Sequence, residues 1–473
     1  MAALAYALRT CSGLAAFGLI CSLSACGSGG GNGNPAAAAA NQAEPAPQGQ
    51  AGLPASVAAA SVAVTLEVPS SLAASPFDVA RQLVVPPGFG IRLWARLDGA
   101  RFMAHAPNGD ILVSQPGSGT VFLLRERPND VPQSFEFASG LQKPHDMVFH
   151  TIGTTIYLYI AESNRVTRSV YRSGDTQTAA RQTVVADLPD ASNTAELQGS
   201  YAHELKNIAL SQDNKLYVSI ASSCNACLED TQSDPLRGAI HEYNADGSGH
   251  RLYARGLRNA EGLDFIPGTN ILWAAVNNRD NIPYPFNNDV DGDGSIDAGK
   301  ILPAFVDSHP PEPFTRVRDG GHYGWPFCNS LPNATMSNLV LAPDFTLNQN
   351  SARFDCATAD SASKGIRAHS APLGFSFLQD SALTQTYRNG AAVALHGCWN
   401  CTSLRAGYKV VYFPFDAANN AGAEIDLVTG FVTDPDARTL WGRPVDVIAD
   451  AKGNLLISDD YAGAIYQLYP RTQ

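Results

Sequence analysis

The chain has 473 residues, 45% of them hydrophobic, but its composition changes sharply along its length, so not all of it belongs to one fold. Its formal net charge is −12, from 32 Lys and Arg against 44 Asp and Glu. No basic cluster stands out, which excludes the electrostatic footprint of a nucleic-acid binder.

Residues 1–25 read as an export signal: Arg9 comes early, an apolar stretch runs from Leu14 to Ile20, and Leu23-Ser24-Ala25-Cys26 follows. The apolar stretch is too short for a stable membrane span. Small residues ahead of a cysteine resemble a bacterial lipoprotein signal, which implies cleavage before Cys26 and a lipid anchor on it. An ordinary signal peptide cut near the same place is the alternative. Residues 26–77 are mostly Gly, Asn, Ala, Pro and Gln. Such a segment cannot bury enough apolar surface to offset its ordering entropy, so it is expected to be a disordered linker. The folded body is expected to span residues 78–473.

Within that body one phrase recurs six times: a short apolar strand, a polar turn and a second apolar strand. The phrases begin at Phe102, Asp146, His203, Glu261, Pro372 and Pro444. The third is the clearest, from His203 through Asn207-Ile-Ala-Leu and the turn at Gln212-Asp-Asn to Leu216-Tyr-Val-Ser-Ile. The strands are short, rich in β-branched and aromatic residues, and bounded by Gly, Asn, Pro and Asp. A third strand follows most of them (Val121, Ala239, Lys409, Ala464), and a fourth is legible after several, as at Arg251. Six four-stranded antiparallel units describe an all-β, six-bladed β-propeller. The sixth unit reaches only its third strand before the chain ends. The spare segment Ile91–Leu97 is therefore expected to supply the missing outer strand and close the ring, removing an exposed sheet edge.

Between the fourth and fifth phrases lies a long insertion, residues 281–371. It contains Asp289-Val-Asp291-Gly-Asp293-Gly-Ser295-Ile-Asp297, which follows calcium-loop spacing for Asp289, Asp291, Asp293, Ser295 and Asp297. Lys300 stands where that loop carries a bidentate glutamate, so either another segment completes a calcium site or this is a solvated acidic turn. Six cysteines remain beyond Cys26, an even number that suits disulfides in an exported chain. The economical pairing is Cys224–Cys227, Cys328–Cys356 and Cys398–Cys401; two C-x-x-C pairs meeting around zinc is the alternative. Neither pair is followed by His, so covalent haem is not supported.

In a propeller the residue ahead of each first strand stands at the channel mouth. His145, His203, Arg258, His369 and Arg443 occupy that zone, and His203 and Arg258 share one offset, eleven residues ahead of Asn214 and Thr269. Five His and Arg side chains converging on one face favour an anionic ligand over a merely wet channel.

Several segments resemble the glucose/sorbosone dehydrogenase family, closest to its sorbosone-dehydrogenase-like branch. They are His203–Ala221, Gly256–Phe265, Gly320-Gly-His-Tyr-Gly-Trp-Pro326, His369-Ser-Ala-Pro-Leu-Gly374, His396-Gly-Cys-Trp-Asn400 and Gly442-Arg-Pro444, in the family's order over roughly residues 80–470. The resemblance implies a propeller that binds pyrroloquinoline quinone (PQQ) with calcium and oxidises a sugar, aldose or polyol. It makes His203 the general base, Arg258 and Asn259 quinone contacts, Arg443 a partner of the PQQ carboxylates, and Asn277–Asp280 the loop that holds the calcium. The chain departs from the glucose-oxidising branch at Val445, where that branch has a second arginine.

The chemistry of the residues is compatible. A flat tricarboxylate asks for arginine forks, and alcohol oxidation by hydride transfer needs a base for the hydroxyl proton. The expected protein is a periplasm-facing or outer-surface lipoprotein that passes electrons to a quinone or cytochrome. Two other classes are a metal-dependent propeller lactonase, which would need carboxylate or Asn ligands on the axis, and a non-catalytic binding lipoprotein.

Overall fold

A computed structural model describes residues 61–471, apart from 129, 194–199, 380, 382 and 384–386. The expected signal, the lipid site at Cys26 and most of the linker lie outside the described residues.

Six four-stranded antiparallel sheets follow one another along the chain. Blade 1 holds Met103–His105, Ile111–Gln115, Thr120–Arg127 and Asp130–Ala138. Blade 2 holds Met147–Ile152, Thr155–Glu162, Arg165–Val170 and Gln182–Val185. Blade 3 holds Ile208–Leu210, Lys215–Ile220, Ala239–Asn244 and Arg251–Arg255. Blade 4 holds Asn259–Phe265, Leu272–Asn277, Glu312–Arg316 and Lys364–Ile366. Blade 5 holds Pro372–Phe377, Gly390–Leu395, Lys409–Pro414 and Ile425–Val428. Blade 6 holds Pro444–Ala449, Leu455–Asp459, Ala464–Pro470 and, as its outer strand, Phe89–Arg96. The first strands of successive blades touch around the full circle, including blade 6 against blade 1. The arrangement is a closed six-bladed propeller, and the outer strand of the last blade comes from the segment expected to supply it, in register from Phe89 with Pro470 to Arg96 with Ala464.

Each of the six blade interfaces carries its own hydrophobic cluster. That explains the near-continuous apolar second strands. Gly390–Leu395 is buried at every position because both of its faces meet a neighbouring blade.

Two expected boundaries are corrected. The linker ends before residue 77: Val62–Thr65 pairs antiparallel with Gln82–Val85, and Val64, Leu66 and Phe77 are buried. Val84 then exchanges backbone hydrogen bonds with Thr429, beyond blade 5's outer strand. The few apolar residues scattered in that polar segment suffice because a preformed edge receives them. Nor is 281–371 an insertion between blades. It contains the third and fourth strands of blade 4, five and three residues long, separated from the inner pair and from each other by long loops. Strands so short leave no alternation to read. The three disulfides join Cys224 to Cys227, Cys328 to Cys356 and Cys398 to Cys401.

Candidate active site at the channel mouth

His203 lies in the connection entering blade 3, and Arg258 stands immediately ahead of the first strand of blade 4. The two share an environment. The Ser222 N–H donates to the Arg258 carbonyl (2.8 Å), and the Ser222 carbonyl lies 2.7 Å from His203 Nδ1. That carbonyl can only accept, so Nδ1 carries the proton and Nε2 keeps its lone pair. Burial, together with the Arg258 charge, pushes the His203 pKa down to about 4. The ring is therefore neutral at physiological pH.

Arg258 is 5% exposed. Its Nε donates to the Asn225 carbonyl at 3.1 Å, its Nη2 to Asn225 Oδ1 at 3.1 Å and to Asp280 Oδ2 at 3.2 Å, and its Nη1 reaches the Asn277 carbonyl at 3.5 Å. Asn225 sits inside the Cys224–Cys227 loop and also bonds both backbone groups of Asp280 at 2.8 Å. The other Asp280 oxygen faces His369 Nδ1 at 3.3 Å, while His369 Nε2 lies 2.7 Å from the Val306 carbonyl. Burial opposes charge on this imidazole, but Asp280 and nearby Glu312 raise its pKa above the ordinary value. Burial likewise works against the Asp280 carboxylate, yet His369 and Arg258 hold its pKa below the usual range. Burial pushes Glu312 up to about 7.

Arg443, immediately ahead of the first strand of blade 6, belongs to a second group. Its Nε and Nη2 each donate at 3.0 Å to a carbonyl, of His396 and Gly397, and its guanidinium lies 5.6 Å over the Tyr408 ring. His396 pairs with Asp460 (2.8 Å), Asp460 with Arg101 (2.7 Å), and Arg101 Nε donates to His145 Nε2 at 3.3 Å. Burial resists ionisation of Asp460, but His396 and Arg101 hold its pKa well below the usual range. His145 is fully buried, 3.9 Å from Glu261, which accepts from Asn259 at 3.0 Å. Asn259 follows Arg258 in the chain, and there the two groups adjoin. His145 is thus an interior member of this network, not a mouth residue. Where blades 1 to 4 meet opens a cleft of about 580 Å³, lined by His203, Tyr201, Gln142, Lys143, Glu204 and Glu261 among others.

His203, Arg258, Asn277 and Asp280 are brought together, and Asn259 and Arg443 join them through the second network. Asp289, Asp291, Asp293 and Asp297 are not part of it. Their carboxylate oxygens lie within 4.8 Å of one another, in a loop whose hydrogen bonds stay within residues 284–300. Ser295 Oγ donates to Asp293, and Lys300 sends its ammonium to Asp297 at 2.7 Å and to Ser295 Oγ at 2.8 Å.

Sequence reasoning missed Asn225, Glu261, Glu312 and Asp460. Asn225 had a signal, its place inside a C-x-x-C loop. Glu312 had none, because the strand bearing it is invisible in the pattern.

The donor set suits PQQ and calcium. The Arg443 guanidinium donates to two neutral carbonyls, which leaves its charge without a carboxylate among the described residues. Asn277 Oδ1 is buried without a hydrogen-bond partner, beside the Asp280 carboxylate, and offers oxygens to a hard cation.

A family model described as TrAA12-like matches residues 83–471. The PQQ domain of a pyranose dehydrogenase from Coprinopsis cinerea, in its holo form, superposes with a TM-score of 0.65 at 20% identity, covering 82% of this chain and 97% of that one. A calcium structure of a Trichoderma reesei family AA12 enzyme gives 0.66 at 20% identity, with coverage of 82% and 97%. A PQQ-bound aldose sugar dehydrogenase from Streptomyces coelicolor gives 0.50 at 15% identity, with coverage of 81% and 99%. An uncharacterized protein of Borreliella burgdorferi is 22% identical over 416 residues, 86% of this chain and 95% of that protein.

Proposed function

Because the chain belongs to the TrAA12-like family, we propose that it is a PQQ-dependent dehydrogenase oxidising a hydroxyl of a sugar, aldose or polyol. The observation that carries this reading is His203: a neutral imidazole with its protonated nitrogen fixed on a carbonyl, lining a cleft beside a buried arginine. The solved relatives are, by name, a pyranose dehydrogenase PQQ domain and a PQQ-bound aldose sugar dehydrogenase.

The chemistry that PQQ would supply when bound is that of a hydride acceptor. Arg258 and Asn259 would contact its quinone, Arg443 would hold its carboxylates, and the Asn277 and Asp280 oxygens would hold calcium. His203 Nε2 takes the hydroxyl proton as the hydride departs. A free lone pair is what that step requires, and a positioned base contributes about 10²–10⁴-fold. Asp280 keeps Arg258 and His369 ordered before ligand arrives, which lowers the cost of organising the site. The same reading places the protein outside the cytoplasm, tethered through lipid on Cys26 and delivering electrons to a quinone or cytochrome. The Asp289–Asp297 loop binds a separate calcium once Lys300 is displaced.

Titration of the purified protein with PQQ and calcium, followed by dye-coupled oxidation of an aldose panel, tests the proposal. The expected result is stoichiometric uptake of PQQ and sugar-dependent dye reduction; absence of PQQ binding by absorbance overturns it.

A further inference from the structure

Among the described residues, only two of the exposed large hydrophobic side chains are aromatic: Trp399 at 68% and Tyr461 at 60%. Both stand beside the second polar group of the channel mouth. Trp399 lies between Cys398 and Cys401, which are disulfide-bonded, and its carbonyl accepts from Arg438 at 3.3 Å. The preceding residues His396 and Gly397 are the ones whose carbonyls Arg443 holds. Tyr461 follows Asp460, and its N–H donates to Asp459 at 3.0 Å. The two loops are joined by the His396–Asp460 contact of 2.8 Å. Asn400 also reaches Asn281 at 3.1 Å, next to the Asp280 that pairs with Arg258. Two aromatic rings are thus held out to water on fixed backbone, on the rim of one site.

Holding an indole in water forgoes its burial energy, and a disulfide loop prevents it from folding back. A rigid aromatic face bordered by amides and by already paired charges suits a ligand with one apolar face and many hydroxyls. A pyranose ring has that form: its axial C–H face stacks on an aromatic, and its hydroxyls meet Asn side chains. We propose that Trp399 and Tyr461 form a saccharide subsite on the channel rim, taking a neutral pyranose unit next to the one being oxidised. The inference rests on the sugar-oxidising reading, and it makes oligosaccharides better ligands than monosaccharides.

The chain has five tryptophans, and the other four, Trp94, Trp273, Trp325 and Trp441, are 1–4% exposed. Collisional quenching of fluorescence by iodide therefore reports on Trp399. The experiment needs neither cofactor nor turnover, so its failure is distinct from failure of the sugar-oxidising reading. Iodide quenching is measured while the protein is titrated with methyl glucoside, cellotetraose and maltotetraose. One tetrasaccharide is expected to protect Trp399 at lower concentration than the methyl glycoside, with Trp399→Ala lacking the iodide-sensitive signal. Tyr461→Ala should raise the protecting concentration by about five-fold. In the PQQ-loaded enzyme, Trp399→Ala should lower the preference for tetrasaccharide over monosaccharide, and Trp399→Phe should restore it. No protection at the highest soluble sugar concentration overturns the proposal. So does protection by a soluble quinone or cytochrome but by no saccharide, which would make the rim an acceptor surface.

Discussion

At His203 the chemistry depends on which nitrogen keeps its lone pair, and the Ser222 carbonyl decides that. His203→Ala is expected to retain PQQ binding while kcat falls by about 10²-fold or more, measured by dye reduction. A base whose pKa is pushed down to about 4 is competent throughout the neutral range. Activity should rise with pH as His203 loses its proton near that value, so the acid limb of kcat/KM is expected well below the ordinary histidine value of about 6.5. A pH–rate profile with its midpoint at or above that value would reject this assignment. Asp280 has the opposite task, neutralising two buried cations. Asp280→Ala leaves Arg258 and His369 without their carboxylate and should cost about 3–5 kcal/mol of stability, read from denaturant unfolding.

Among elements, the innermost strands hold a device that the polar mouth does not explain. Asp146 and Asp446 lie buried, and Asp264 half-buried, on the first strands of blades 2, 6 and 4 or directly ahead of them. Asp146 accepts from the Ile208 N–H of blade 3 at 2.9 Å, and Asp446 from the Met103 N–H of blade 1 at 2.8 Å. The backbone of Phe377 in blade 5 likewise favours the ionised form of Asp264. Alternate blades are thus pinned to the next by a carboxylate. Gly374 leaves room for one of them, since a Cβ there would stand 1.9 Å from Asp446 Oδ1. These oxygens are committed to backbone amides, which weighs against the lactonase class, whose metal would need them. Asp446→Ala should cost about 2–3 kcal/mol through its orphaned N–H groups, seen by calorimetry. Burial also pushes Asp446 up to about 7. A raised folded pKa gives a stability contribution that is full below about 4 and is lost as pH rises through about 7. The stability difference between wild type and Asp446→Ala should therefore narrow over that range.

For the whole molecule, closure is the first requirement. Phe89–Arg96 completes blade 6, so deletion of residues 61–96 should expose the edge of Ala464–Pro470 and yield aggregated protein by size-exclusion chromatography. The blade count, the closing strand and the disulfide pairs were legible in the chain from a recurring phrase, a spare strand, two C-x-x-C pairs and the two cysteines left over, Cys328 and Cys356. His203 and Arg258 were legible because the repeat gives them a shared offset. The outer strands of blade 4 and the hairpin at Val62–Thr65 were not, since too few residues pair to leave a pattern and a neighbouring edge supplies their order. By itself, then, the sequence determined the architecture and the kind of side chain at the channel mouth. Only the tertiary structure decided the partners: Asn225 and Asp280 for Arg258, Ser222 for His203, Asp460 for His396. Such contacts join residues far apart in the chain, where no spacing rule reaches, and burial beside a particular charge sets their protonation.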